Sequence, residues 1–194
     1  IRGSLDSVTE FLSIVIAAAV VNNLVLVQFL GVTAFYSASS RLQNSLEIAL
    51  LTAAVLVTAS LLNLLLTNYV LSPLDLMFLQ LICFVAVSGS ITVLILHWLR
   101  EKFPVSLRRL HLHLLLVGGN SAVIGISIIN TRNGLGLIEN IANSIGAALG
   151  FALVLIAFAA LRQRLDTADV PQPFRGPAIH LISAGIIAMC FLGF

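Results

Sequence analysis

The sequence predicts an all-α integral membrane protein of six transmembrane helices. Three observations carry this: 59% of residues are hydrophobic and only 9% charged, six long stretches lack Asp, Glu, Lys and Arg, and the basic residues fall almost wholly on one side of those stretches. A mean hydropathy of +1.09 over 194 residues lies far above that of an ordinary soluble domain. Disorder is excluded, because it needs low hydrophobicity and high charge. A nucleic-acid module is excluded too, because a net charge of +2 supplies no dense basic surface. The lipid bilayer is the partner such a chain requires.

The uncharged stretches run 11–40, 48–74, 76–99, 110–131, 140–161 and 176–194. A charged residue at the bilayer centre costs about 2.5–3.5 kcal/mol on insertion scales, and about 20 apolar residues cross the hydrocarbon, so each stretch reads as one span. Short connections remain, which makes residues 1–194 a single transmembrane domain with no soluble appendage able to hold a nucleotide or flavin. No basic segment with a cleavage site precedes the first span, so it reads as retained.

The first stretch is too long for its task. A straight helix of its 30 residues would overshoot the bilayer by about half. Asn22 and Asn23 place two amides at about bilayer depth, and Gly31-Val32-Thr33 opens a run to Ser40 rich in small hydroxylated residues that could cap a second half-helix. The second and third stretches are simple spans parted at Asp75. The fourth is interrupted in turn: Gly118 and Gly119 weaken the helix, and Asn120 and Ser121 can satisfy the loosened backbone. An alternative stays open, in which the glycines permit close helix packing and the asparagines bridge neighbours. The fifth and sixth spans are joined by a polar loop carrying Arg162, Arg164, Asp166, Asp169 and Arg175.

Orientation follows from the positive-inside rule. With six spans, Arg41, Arg100, Lys102, Arg108, Arg109, Arg162, Arg164 and Arg175 share one face, and only Arg2 and Arg132 lie on the other. Both termini are therefore expected outside the cytoplasm, in the periplasm of a bacterium with an inner membrane. Spans one and four lead two groups of three, about 5–99 and 110–194, which enter the membrane from opposite sides. That is a 3+3 inverted repeat with interrupted first and fourth helices, an arrangement that builds sites at the bilayer midplane.

No catalytic residue or metal site stands out. Cys83 and Cys190 sit in apolar runs without metal-ligand or redox spacing and read as small helix residues. His97, His111, His113 and His180 read as interface histidines with their polar ends among headgroups. The run Arg100 to Arg109 reads as a topology anchor on anionic lipid, and Asp166 and Asp169 as residues that pair locally rather than as a catalytic dyad.

At the broken helices the chain resembles a known family: the paired membrane subunits of the Rnf (Rsx) electron-transport complex and of the sodium-translocating NADH:quinone reductase. It is most like the A-type Rnf subunit. The motifs are Val21 to Gly31 (VNNLVLVQFLG), Asn120 to Gly125 (NSAVIG) and Ala168 to Gly176 (ADVPQPFRG), in an order that holds from about Thr9 to Phe194. The last is the most specific, since a polar loop has no compositional reason to reproduce that string. The resemblance implies a partner of the same fold and opposite orientation, like the E-type Rnf subunit, together with other Rnf-like subunits. It also implies a [2Fe-2S] cluster shared by the pair, held by two cysteines from each partner.

Here the ligand positions are Thr33 and Ser121, and neither hydroxyl replaces a thiolate toward iron. A family proline is Ala34, and a family acidic residue late in the third span is Leu96. The expected function is therefore a non-catalytic membrane subunit of an ion-translocating electron-transport complex, moving Na⁺ or H⁺, with no cluster held by this chain's own ligands. A cluster-less structural or assembly paralogue and a stand-alone secondary transporter are the alternatives.

Overall fold

The structure is a computed structural model that describes residues 2–28, 30–31, 39, 42–102, 117–169 and 171–191. Among them lie six α-helices: α1 (Arg2–Ile16), α2 (Leu42–Leu66), α3 (Gln80–Lys102), α4 (Ser121–Arg132), α5 (Leu137–Thr167) and α6 (Pro177–Phe191). α1 runs into a π-helical turn at Ala17–Val21 and α2 into another at Thr67–Leu71, and short 3₁₀ turns precede α3 and α6. Segments Ser45–Leu71, Met77–Leu99 and Leu137–Thr167 are each long and apolar enough to cross a membrane, while Val8–Val21 and Pro177–Cys190 are shorter apolar helices. The fold is all-helical, with no strand among the described residues, and the protein is a multi-pass membrane protein.

α2 and α5 form the central pair. α1 and its π-turn lie along α5, α4 lies along α2, α3 packs on α2 and α4, and α6 touches α5. The α1–α5 contact is made by missing side chains: a Cβ on Gly146 would lie 2.5 Å from Val15 O, and one on Gly150 would lie 2.6 Å from Ala19 O. Small residues let helix backbones meet at this distance, and dispersion over that seam replaces the hydrophobic drive that lipid removes. Phe151, Phe158, Leu56 and Val123 fill the centre and are fully buried. α3 is peripheral and turns Leu81, Ile82, Val85, Val93 and Leu94 outward, as a lipid-facing helix should.

Helix α5 departs from its uncharged stretch at both ends. It begins at Leu137, where Glu139 Oε2 accepts from the Gly136 backbone N–H at 3.0 Å, a contact that satisfies the N-cap N–H and sets a carboxylate at the positive end of the dipole. It continues through Arg162, Arg164 and Asp166 to Thr167. Charge ends the part of a helix that can lie in hydrocarbon, not the helix itself, and Leu, Gln and Arg are good helix formers in water. At 1.5 Å per residue α5 is about 46 Å long against a hydrocarbon core of about 30 Å.

Candidate functional site

The first and fourth uncharged stretches are interrupted next to one another. After the π-turn, Asn22 leaves helical geometry (φ −99°, ψ 41°), and Asn23 organises the chain that follows. Its Oδ1 accepts from Val25 N at 3.0 Å and Leu26 N at 3.4 Å, while its Nδ2 donates to Ala19 O at 2.9 Å. Asn120 does the same for the fourth stretch. It sits in extended geometry (φ −69°, ψ 116°) as the N-cap of α4 and accepts from Ala122 N at 3.0 Å. In each case an amide oxygen satisfies the N–H two residues on: Asn120 thereby caps α4, and Asn23 holds the turn that follows it at 24–28. Asn22 is exposed and Asn23 fully buried.

The two interruptions touch at Gly31. Its N–H donates to Ser121 Oγ at 2.8 Å across the bundle. Gly31 has φ +78°, and a Cβ there would lie 2.9 Å from Asn120 Oδ1 and 3.1 Å from Phe151, so both conformation and space demand glycine. Gly118 ends the preceding helical turn and packs against Thr92, where a Cβ would stand 3.3 Å from its Cβ. Gly119 and Ser121 lie on the exposed edge of this junction. Asn120 is fully buried, and its Nδ2 has no hydrogen-bond partner among the described residues. Thr33 and Ala34, and the run Thr33 to Ser40 apart from Ser39, lie outside the described residues, as do Arg41, Arg108, Arg109, His111 and His113.

A second polar centre lies one to three turns further along α4. Ser60 on α2, Asn130 on α4, and Asn140 and Ser144 on α5 form a closed set. Ser60 Oγ donates to Asn140 Oδ1 at 2.9 Å, Ser144 Oγ to Ser60 Oγ at 2.8 Å, and Asn130 Nδ2 to Ser60 Oγ at 3.1 Å and Ser144 Oγ at 3.2 Å. Asn143 Nδ2 donates to Asn130 Oδ1 at 2.6 Å. Beside them Asn63 Nδ2 donates to Ser127 Oγ at 2.9 Å, and Asn63 Oδ1 has no donor among the described residues. These asparagines and serines were not singled out from the sequence. The signal that could have found them is the spacing Ser60, Asn63 on α2 and Ser127, Asn130 on α4, which puts each pair on one helix face.

At the opposite end of α5 the connection to α6 carries two polar side-chain contacts. Asp166 Oδ1 lies 3.0 Å from His180 Nε2 and Asp169 3.6 Å from Arg175, beside a cavity of about 380 Å³. Both aspartates pair locally, but His180 is a correction to the sequence reading. It is only 4% exposed, packed between α5 and α6 rather than reaching headgroups, because Asp166 one helix away offers it an acceptor. His97 is exposed and pairs with Glu101 at 3.5 Å. Arg162 reaches Ser39 Oγ at 3.0 Å. Among the described residues no Asp, Glu, Lys or Arg is buried, and no group of His, Cys, Asp and Glu is arranged to hold a metal.

The family described as "Rnf-Nqr subunit, membrane protein" matches residues 11–194. The chain belongs to this family. Rnf-Nqr relatives of similar length include proteins named as the A-type member of an ion-translocating oxidoreductase complex. That of Azotobacter vinelandii is 42% identical over 187 residues, covering 96% of each chain. That of Colwellia psychrerythraea is 43% identical over 190 residues, again 96% of each, and that of Pseudoalteromonas translucida 40% over 186, with 96% of each covered. The cluster implied by the Rnf-Nqr resemblance asks for thiolates at positions 33 and 121. Ser121 offers a hard hydroxyl oxygen already engaged by Gly31 N–H, while Cys83 lies on α3 and Cys190 is exposed on α6. The residues present do not fit that group.

Proposed function

We propose that this chain is the A-type membrane subunit of an ion-translocating oxidoreductase complex of the Rnf kind. The observation that carries this is an identity of 40–43% spread over nearly the whole of both chains with relatives of that name. The chain is a non-catalytic component that works beside other members of the complex. Its immediate partner is a homologous, E-like protein of opposite orientation, docked on the exposed edge at Gly119 and Ser121. Left facing lipid, that interrupted helix would carry unsatisfied backbone at a cost of several kcal/mol per group.

The internal arrangement is a 3+3 inverted repeat. Its support is the exchange symmetry of the packing, in which α1 lies on α5 as α4 lies on α2 around the α2–α5 pair, and the matched bonds that Asn23 and Asn120 accept from the N–H two residues on. The chain resides in a bacterial inner membrane with both termini periplasmic. Ser121 favours a chain that supplies no thiolate to the family's cluster, and so a cluster-less member of the family rather than a redox-active half of the pair.

Purification of the tagged chain from native membranes in mild detergent is expected to bring down the other subunits, including one six-span homologue. Deleting the gene should abolish electron-driven ion movement in inverted vesicles. Recovery of a stable monomer, with vesicle activity intact after deletion, would overturn the reading. Topology is tested separately: single cysteines placed between Arg162 and Arg175 should resist an impermeant thiol reagent added outside intact cells, and labelling there would reverse the orientation.

A further inference from the structure

Leu165, Asp166, Ala168, Arg175, Gly176 and Ile179 line the cavity of about 380 Å³ in the joint between α5 and α6. That lies within the range of about 300–1,000 Å³ in which small molecules are held, and far exceeds the share of about 30 Å³ that one water takes. Its place along the chain sets its depth. By this point α5 has passed Arg162 and Arg164 and lies outside hydrocarbon, whereas the apolar helix Pro177–Cys190 starts next to Gly176. The cavity therefore stands where hydrocarbon gives way to headgroups.

Its lining carries both signs of charge. Asp166 keeps 55% of its side-chain surface and Arg175 60% beside their contacts with His180 and Asp169, so both can reach a bound group. A simple anion would meet the Asp166 carboxylate and a simple cation the Arg175 guanidinium, each at a cost in like-charge repulsion. A molecule bearing both charges answers both. The apolar side of the cavity continues into the membrane: Ile179 lines it, and Ile182 and Ile186, three and seven positions on, share its helix face and are exposed. An occupant can thus keep a charged head in the cavity and lay hydrocarbon along α6.

We propose that this cavity binds the headgroup of a phosphatidylethanolamine, with its phosphate on Arg175, its ammonium on Asp166 and its acyl chains along Ile179, Ile182 and Ile186. A guanidinium matches phosphate oxygens with paired donors. A primary ammonium brings three N–H donors to a carboxylate. A choline headgroup has none to offer and a glycerol headgroup has no cation, so either would leave Asp166 unanswered. The bound lipid would fasten the start of α6 to the end of α5.

The test uses the purified complex, stripped of lipid in detergent and then given phosphatidylethanolamine, phosphatidylcholine or phosphatidylglycerol of the same acyl chains, with inorganic phosphate as a fourth arm. Native mass spectrometry counts retained lipid and thermal melts read stabilisation. Phosphatidylethanolamine should be retained and should raise the midpoint saturably, above the other two lipids, and phosphate should leave it unchanged. Arg175→Gln should raise the half-saturating concentration about tenfold, the equivalent of about 1.4 kcal/mol. Asp166→Asn should remove the preference for ethanolamine over glycerol headgroups. Asp169→Asn takes away a contact of Arg175 from outside the cavity lining, so retention should survive there. If Asp166→Asn fails to assemble for want of its His180 contact, the other two variants decide alone. A loss in Asp169→Asn equal to that in Arg175→Gln would mean that the loop, not the headgroup, had been disturbed, and would overturn the site. So would equal stabilisation by all three lipids or by phosphate. A photoreactive side chain in place of Ala168 should cross-link to lipid, and cross-linking to another subunit instead would show a protein contact there and sink the proposal.

Discussion

Gly150→Leu is expected to abolish accumulation of the folded protein, whereas Gly185→Leu should leave it near the level of the unaltered chain. A Cβ on Gly150 would lie 2.6 Å from Ala19 O and 2.8 Å from Asn23 Nδ2. The first of these is backbone and cannot swing aside. The second belongs to the residue that accepts from Val25 N and Leu26 N, so the clash spreads from the α1–α5 seam into the interruption of the first stretch. Overpacking by single methylenes costs about 1–3 kcal/mol in well-packed cores, and a leucine adds several against main chain. At Gly185 a Cβ meets nothing within 4 Å, and leucine gains there about 1 kcal/mol of helix propensity over glycine. Size-exclusion profiles of fluorescently tagged variants in detergent separate the two. Equal monodisperse peaks would show that the seam is not held by close backbone approach.

Thr33→Cys combined with Ser121→Cys should bring to the assembled pair a reducible visible absorption and iron approaching two atoms per pair, against little in the unaltered protein. Ser121→Cys alone should change little. Position 121 meets Gly31 directly, and positions 33 and 121 are the ones at which the Rnf-Nqr resemblance implies cysteines. Thiolates suit iron–sulfur clusters and neutral hydroxyls do not. Iron analysis and absorption spectra of the complex, with assembly checked by its protein composition, decide the matter. Stoichiometric iron already bound through Ser121, or cysteines that leave iron unchanged in an intact complex, would contradict the prediction.

What could be read in advance was whatever a single stretch of chain carries. Uncharged runs located the apolar spans because charge in hydrocarbon is costly at any position, and the pair Gly118-Gly119 before Asn120 marked the start of α4 because helix starts have local chemistry. The helix ends were less legible: α5 continues through Arg162 and Arg164 because a helix outlasts the membrane around it. The buried polar centre was illegible for another reason. Ser60 and Asn140 are 80 positions apart, and each alone is an unremarked polar residue in an apolar helix; only the α2–α5 pairing makes them neighbours. His180 likewise looked like any interfacial histidine until the turn after α5 brought Asp166 to it.

The absence of buried Asp, Glu, Lys and Arg among the described residues bears on how the protein responds to an energised membrane. A transmembrane potential does work of about 2.3 kcal/mol per elementary charge per 100 mV, and only on charge that moves along it. The described interior of this bundle offers that field no acidic or basic side chain to displace. Within the described residues, the field therefore acts on helix dipoles and neutral amides rather than on a buried side-chain charge.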